Sequence, residues 1–358
     1  MLDERIKTLR NTLKEKGLNA LLVSNYYNIL YLSGFKTLVD NEREAWLLIT
    51  ENAEYLFTDY RYASAVHNIS FITPEKRLIK HLQEIVEAKN IKTLGFEAED
   101  LKFNEHQSFR KYLEKTALVP TQGLVMNQRG IKDEEEIRKI ETTCKISDQC
   151  MTDVIKEITI GNTEKEIAFK IEFWLKKKGY DLAFYPIVAV DENSSIPHYD
   201  TRSGNDKMIE KGSLILVDFG AKHNDYLSDM TRMVFAGNPR TEIANQYNYL
   251  LESQIKTLKH LKVGSDLKKT DSFCRKEMRS KGLNDYSHST GHGVGLEIHE
   301  YPKMSFLSED KVEPDQIITV EPGFYLEGKW GMRVEDTARI TKNGAVALTK
   351  FTKDLLIV

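Results

Sequence analysis

Gly291, Gly293 and Gly295 fall within five positions of the chain, and each glycine costs a helix about 1 kcal/mol relative to alanine. The stretch His288-Ser289-Thr290-Gly291-His292-Gly293-Val294-Gly295-Leu296-Glu297-Ile298-His299-Glu300 is therefore not expected to be a continuous helix, and His288 and His292 are not read as an i,i+4 zinc pair. Three imidazoles nevertheless lie within twelve residues. A backbone free of side chains lets a metal ion or a substrate sit against it, and neutral imidazole is the commonest protein metal ligand near pH 7. A glycine-rich surface loop with incidental histidines is the plain alternative. A dinucleotide loop is weaker, because no GxGxxG follows a strand and opens a helix here.

The surroundings of this stretch give it a chemical context. Leu214-Ile215-Leu216-Val217-Asp218-Phe219-Gly220 reads as an apolar strand carrying a carboxylate, and Tyr226-Leu227-Ser228-Asp229-Met230-Thr231-Arg232-Met233-Val234 as a second. The polar run Lys222-His223-Asn224-Asp225 between them is a hairpin turn. With His223 and Asn224 as loop residues, Asp218 and Asp229 face each other, Cβ atoms about 4.5–5.5 Å apart, and repel unless cations intervene. Glutamates repeat the pattern in Gln316-Ile317-Ile318-Thr319-Val320-Glu321-Pro322-Gly323 and Gly331-Met332-Arg333-Val334-Glu335-Asp336. Taken singly, each acid is better explained as a solvated charge, since 29% of the chain is charged. Taken together, four strand-borne carboxylates and a histidine can supply a two-metal site, whose cations stand about 3.5–4 Å apart and activate water. Such a hard, oxygen-rich set suits manganese first, and cobalt or iron, better than the thiolate-rich sets of structural zinc; zinc stays possible.

At these residues the sequence resembles the pita-bread metallopeptidases, the family of Xaa-Pro aminopeptidases, Xaa-Pro dipeptidases (prolidases) and methionine aminopeptidases. Asp218, Asp229, His292, Glu321 and Glu335 fall in the order of that family's metal ligands, within Ser-Asp-Met-Thr-Arg, Gly-His-Gly and Glu-Pro-Gly segments. The resemblance implies that Asp229 and Glu335 bridge two divalent ions, that Asp218 completes one coordination sphere, and that His292 with Glu321 completes the other. It also implies attack by a bridging hydroxide, proton transfer by Glu321, and hydrogen bonds to substrate from His198, His288 and His299. Within Ile196-Pro197-His198-Tyr199 a histidine beside proline is ordinarily structural; the resemblance matches it to one lining the substrate site. Asp191-Glu192-Asn193 departs from the glycine-containing loop of many relatives. Arg333, two residues before Glu335, is where proline-specific members carry arginine and methionine aminopeptidases commonly carry glutamine. It either neutralises the acids or holds a substrate carboxylate or a histidine.

The 358 residues, 41% of them hydrophobic, suffice for two buried cores. An α/β creatinase-like domain is expected over 1–125 and an α+β pita-bread catalytic domain over 126–358. In the first, Leu2, Ile6, Leu9 and Leu13 mark a helix closed by Gly17, followed by strands at 20–23, 46–49, 55–58 and 93–96 and helices near 76–89 and 104–115. Asn28–Phe35 and Thr58–Tyr62 resemble segments of the creatinase-type domain, whose family role is to cover the active site and help form a dimer; core tyrosines and a buried ion pair are the alternative. In the second, helices are expected near 133–157 and 164–178, the latter opened by a Thr163 to Glu166 capping box. Net charge of −3 without a long basic block argues against nucleic acid, and no apolar run of about 18 residues argues for a membrane span. Met1-Leu2-Asp3-Glu4-Arg5-Ile6 lacks a signal-peptide core, which favours the cytoplasm. Cys144, Cys150 and Cys274 have no metal spacing and read as buried thiols.

The expected function is metal-dependent hydrolysis of the bond between an N-terminal residue and a following proline. Xaa-Pro aminopeptidase is preferred over Xaa-Pro dipeptidase, with a proline-containing peptide or dipeptide as substrate and a homodimer as the assembly. A metal-free creatinase-like hydrolase and a catalytically dead binding module are the other classes, and the complete ligand set speaks against both.

Overall fold

The computed structural model describes residues 2–38, 42–62, 69–73 and 76–358. The chain divides into two units, Met1–Arg129 and Gly130–Val358.

In the first unit one mixed sheet runs in the order Ile69–Phe71, Glu54–Thr58, Ala45–Thr50, Ala20–Val23, Thr93–Glu97, Ala117–Thr121. Ala20–Val23 lies in its interior, antiparallel to Ala45–Thr50 and parallel to Thr93–Glu97. A strand covered on both faces has no polar side to show, and all four of its residues are buried. The opening helix, Leu2–Glu15, buries Ile6, Leu9 and Leu13, while Leu2 stays 41% exposed. Tyr31 is buried as a core tyrosine. Tyr60 is not, at 66% exposed, and the Asp59–Arg61 pair lies at the surface rather than in the core, because both residues sit on a single 3₁₀ turn, Tyr60–Tyr62, and its approach.

The second unit presents two successive pairs of helices, each followed by strands. Glu134–Val154 and Glu164–Lys177 precede a four-stranded sheet ordered Leu356–Ile357, Met230–Phe235, Leu214–Phe219, Ile187–Val190. Thr241–His260 and Leu267–Ser280 precede a five-stranded sheet ordered Glu300–Met304, Gly291–Gly293, Ile317–Val320, Asp336–Thr341, Gly344–Ala347. The Thr163 box is present: its hydroxyl accepts from Glu166 N at 3.3 Å and Glu166 accepts from Thr163 N at 3.0 Å. Ile167, Ile171 and Leu175 of that helix pack on Val188, Val217 and Phe219, which fixes the strand bearing Asp218 from behind.

The hairpin register differs from expectation. Lys222 pairs with Leu227 and His223 with Tyr226, so the loop is Asn224-Asp225. Both have left-handed φ, 49° and 72°, as a hairpin turn of the primed kind requires. Moving the loop by one residue moves every cross-strand pair by two positions. Asp218 therefore faces Thr231, and Asp229 sits at the break between Tyr226–Leu227 and Met230–Phe235.

Cys144, Cys150 and Cys274 are free and buried. Burial pushes all three thiols up, Cys274 to about 11. No helix among the described residues is long and apolar enough to cross a membrane.

Candidate metal centre

Strands of the four- and five-stranded sheets of the second unit, and the residues at their ends, deliver acids to one place. Donor atoms of Asp229, His292 and Glu335 all lie within 4.8 Å of one another, and the three residues are buried. Glu321, just beyond Ile317–Val320, joins them with Oε1 3.2 Å from His292 Nε2. Asp218 is close enough that its charge raises the pKa of both Asp229 and Glu335. The structure thus brings all five expected ligands together, although Asp218 and Asp229 are not the directly opposed pair first envisaged.

The histidine is aimed by its own strand. His292 Nδ1 lies 3.1 Å from Gly293 O, and a ring that donates there turns the Nε2 lone pair toward the acids. Flat backbone at this point explains the glycines differently from the sequence argument. A Cβ on Gly291 would stand 1.9 Å from Thr319 O, and one on Gly293 2.3 Å from Tyr301 O. These glycines make room for neighbouring strands rather than for a ligand.

The electrostatics call for cations. Burial, then Glu335 and Asp218, push Asp229 well above the usual carboxylate range; burial, then Glu321 and Asp218, do the same to Glu335. Asp218 is raised by burial against the opposing pull of Arg333. Glu321 is held down at about 2 despite its burial, because His292 bonds it. Asp218 Oδ1 and Glu335 Oε1 are buried with no hydrogen-bond partner, which a folded chain tolerates poorly. Four carboxylates, two of them with an orphaned oxygen, and one imidazole are the donor set that hard divalent cations take.

Polar side chains hold the remaining atoms in place. Thr231 Oγ1 donates to Glu335 Oε2 at 2.7 Å and accepts from Arg333 Nε at 3.1 Å. Thr337 Oγ1 donates to Asp229 O at 2.9 Å. Arg333, 3% exposed, binds Asp218 Oδ2 through Nη2. Through Nη1 it donates to Pro197 O at 3.1 Å and Tyr325 OH at 2.8 Å. Tyr325 in turn meets His288 Nε2 at 3.0 Å, while His288 Nδ1 lies 2.8 Å from Ser289 O. Of the three roles the sequence left open for Arg333, the contacts match two: it pairs with an acid and, through Tyr325, is linked to a histidine. Burial lowers His288 to about 4, so it is neutral near pH 7.

The three other histidines are placed unequally. His288 faces Glu321 across 3.7 Å with both ring nitrogens engaged. His299 is exposed, its ring edge-on to His292 at 4.4 Å. His198 is exposed on the loop whose Pro197 carbonyl binds Arg333, within electrostatic reach of Asp218, His288 and His299. Sequence reasoning missed Tyr325, Thr231 and Thr337. The period-2 alternation of Gly323–Leu326 and Trp330–Arg333, which pairs Tyr325 with Gly331, puts Tyr325 two positions from the Gly323 to Arg333 pair and so on Arg333's side of the ribbon.

The likeness to known proteins covers both units. Residues 138–342 match metallopeptidase family M24, and residues 5–131 match the creatinase/prolidase N-terminal domain. A Xaa-Pro dipeptidase of Pyrococcus horikoshii is 33% identical over 99% of each chain. The solved Xaa-Pro dipeptidase of Bacillus anthracis superposes with a TM-score of 0.92 at 31% identity over 100% of both chains. The X-Pro aminopeptidase of Thermotoga maritima does so with a TM-score of 0.88 at 33% identity over 99% of both. An acid cluster built from two sheets, carried on this fold and matched along the whole chain, makes the protein a hydrolase-type member of metallopeptidase family M24 with a creatinase/prolidase N-terminal domain.

Proposed function

We propose that the protein is a metal-dependent exopeptidase that hydrolyses the bond between an N-terminal residue and a following proline. The observation that carries the reading is the convergence of Asp229, His292 and Glu335 donors within 4.8 Å, beside orphaned oxygens of Asp218 and Glu335. Two divalent cations, manganese by preference, would be held by Asp218, Asp229, His292, Glu321 and Glu335. When bound, they supply a Lewis acid and lower the pKa of water.

The chain's own residues do the rest. Glu321, ionised and touching His292, moves a proton from the attacking water toward the leaving nitrogen, a role typically worth about 10² to 10⁴-fold. His198 and His299, exposed beside the acids, donate to the substrate and to the charge developing on its carbonyl oxygen. His288 keeps Glu321 company through a fixed ring, and Arg333 fixes Asp218. Proline suits a site with no need of an amide donor, because its tertiary amide has no N–H and its ring fixes the backbone.

Aminopeptidase action on longer peptides remains our first reading, in a cytoplasmic homodimer with a creatinase-like domain over 1–125 and a catalytic domain over 126–358. Dipeptidase action is the second, favoured by the names of relatives such as those of P. horikoshii and B. anthracis. Hydrolysis of Ala-Pro and Ala-Pro-Ala by the manganese-loaded protein separates them: cleavage of the dipeptide alone overturns the first reading. Failure on both substrates, with no stoichiometric metal after dialysis against manganese, overturns the peptidase assignment itself.

A further inference from the structure

Behind the acid cluster lies a buried arginine that the reaction scheme does not use. Arg232 is 1% exposed, and every nitrogen of its guanidinium is engaged. Nη1 donates to Glu335 O and, at 3.0 Å, to Thr231 O. Nη2 donates to Asp336 Oδ1 at 2.9 Å and to Phe351 O at 2.8 Å, and Nε reaches Thr352 O at 3.1 Å. One side chain thus grips the backbone of Glu335, the backbone of the threonine that binds the Glu335 carboxylate, and a segment more than a hundred residues away.

That segment, 348–355, has neither helix nor strand. Polar bonds hold it instead. Lys350 N and Phe351 N donate to the Asp148 carboxylate at 2.8–2.9 Å, and Tyr247 OH donates to Lys353 O at 2.7 Å. Thr349 Oγ1 reaches Asp336 Oδ1 at 3.0 Å, and Lys353 Nζ binds Asp336 Oδ2. Glu335 immediately precedes the strand Asp336–Thr341; its carboxylate bonds Thr231 Oγ1 beside the acid cluster, while the Asp336 carboxylate meets the segment. Arg232 links the two residues.

We propose that Arg232 is a positioning residue that couples docking of the segment Thr349–Lys353 to the grip of Glu335 on a divalent cation. The coupling rests on Glu335 being a metal ligand, as read above. Among the described residues Thr231 Oγ1 bonds the Glu335 carboxylate, Arg232 bonds its carbonyl, and the Glu335 N–H donates to Thr231 O at 3.3 Å. Since Arg232 also holds Thr231 O, its loss loosens this set. Groups that orient metal ligands typically contribute about 10- to 100-fold to metal affinity. Linkage makes the effect reciprocal, so cation binding must tighten the segment as much as the segment tightens cation binding.

Equilibrium dialysis of Mn²⁺ and amide hydrogen exchange on the full chain test this together. Arg232→Met is expected to raise the Mn²⁺ Kd about 10- to 100-fold, and Arg232→Lys less, since a single ammonium cannot reproduce the planar fork. Lys353→Met, partly exposed and bonded to Asp336 rather than to any of the five candidate ligands, is expected to raise it by less, about threefold to tenfold. In the parent protein Mn²⁺ should slow exchange of the Lys350 and Phe351 amides; in Arg232→Met it should not. Leu267→Ala, a truncation in a core cluster on which Phe351 does not pack, controls for lost stability. A Kd for Arg232→Met within twofold of the Leu267→Ala value, or exchange at 350–351 indifferent to Mn²⁺, overturns the coupling. If Arg232→Met does not fold, an unchanged Kd in Lys353→Met overturns it instead. Absence of Mn²⁺ binding by the parent protein removes the metal reading and the coupling together.

Discussion

Replacing Glu300 by glutamine should unfold the second unit far more readily than its small chemical change suggests. Lys132 Nζ lies 2.6 Å from Glu300 Oε1, and the two side chains are 0% and 1% exposed. At that distance two unit charges attract by about 6 kcal/mol at an effective dielectric constant of about 20, which roughly offsets a desolvation cost of several kcal/mol per ion. Glutamine cancels the attraction and leaves the cost. Glutamine has one acceptor oxygen for two donors: facing Lys132 Nζ it is neutral and deprives Glu297 N, at 3.4 Å in the parent, of its acceptor; facing Glu297 N it leaves Lys132 with Gly130 O, at 3.5 Å, among the described residues. Loss of one partner of a buried pair is worth about 3–5 kcal/mol. For a unit the size of Gly130–Val358, each 1 kcal/mol moves Tm by about 2–4 °C, so a fall of about 6–20 °C is expected. Urea unfolding followed by tryptophan fluorescence gives the free energy. The double variant Lys132→Met with Glu300→Gln, which removes the stranded cation, should recover at least half of the loss. A single-variant loss under about 1 kcal/mol, or a double variant no more stable than the single, would refute the reasoning.

Three further outcomes are expected. Tyr325→Phe removes the hydroxyl between Arg333 and His288 and should lower kcat about tenfold to a hundredfold, as hydrogen bonds to charged groups are worth about 1.5–3 kcal/mol; unchanged steady-state kinetics on the preferred substrate would count against the relay. Asp229 and Glu335 have raised pKa values in the fold, so the metal-free folded state holds protons that the unfolded state has released. The stability they lend is present below the ordinary carboxylate range and is lost as pH rises through their raised values. Tm of the dialysed protein should thus fall more steeply as pH rises above the ordinary carboxylate range than that of the manganese-loaded protein, and parallel profiles would contradict the assignment. Glu335→Gln removes one of the repelling charges and should raise Tm of the metal-free protein while abolishing the Mn²⁺-induced rise, which at 100 times Kd is about 2.7 kcal/mol for a single site; differential scanning calorimetry reads both.

Much of the architecture was legible because it is written locally. The Leu2–Leu13 periodicity, the apolar Ala20–Val23 strand and the Thr163 box each encode their element within a few residues. The acids that cluster around His292 were legible because carboxylates interrupting apolar strands are conspicuous, and the resemblance to the metallopeptidases added the histidine. The hairpin register was not read correctly, although Asn224-Asp225 is a better left-handed pair than His223-Asn224: the β pattern around it tolerates either loop, and only the tertiary break at Asp229 decides. Partners such as Arg232 and Glu335, Lys132 and Glu300, or Arg333 and Asp218 lie 103 to 168 residues apart. No periodicity records which buried arginine meets which carbonyl. The glycines of Gly291–Gly293 were conspicuous for the wrong reason, since the space they leave is taken by Thr319 and Tyr301 backbone.

The three cysteines bear on how the metal question is to be asked. With every thiol shut inside the fold and its ionisation suppressed, the thiolate that air or alkylating agents attack is scarce. The protein can be purified aerobically without dithiothreitol or mercaptoethanol, reagents that would themselves sequester soft metals. Its native cation can then be counted in a buffer where nothing but the carboxylates and the imidazole competes for it.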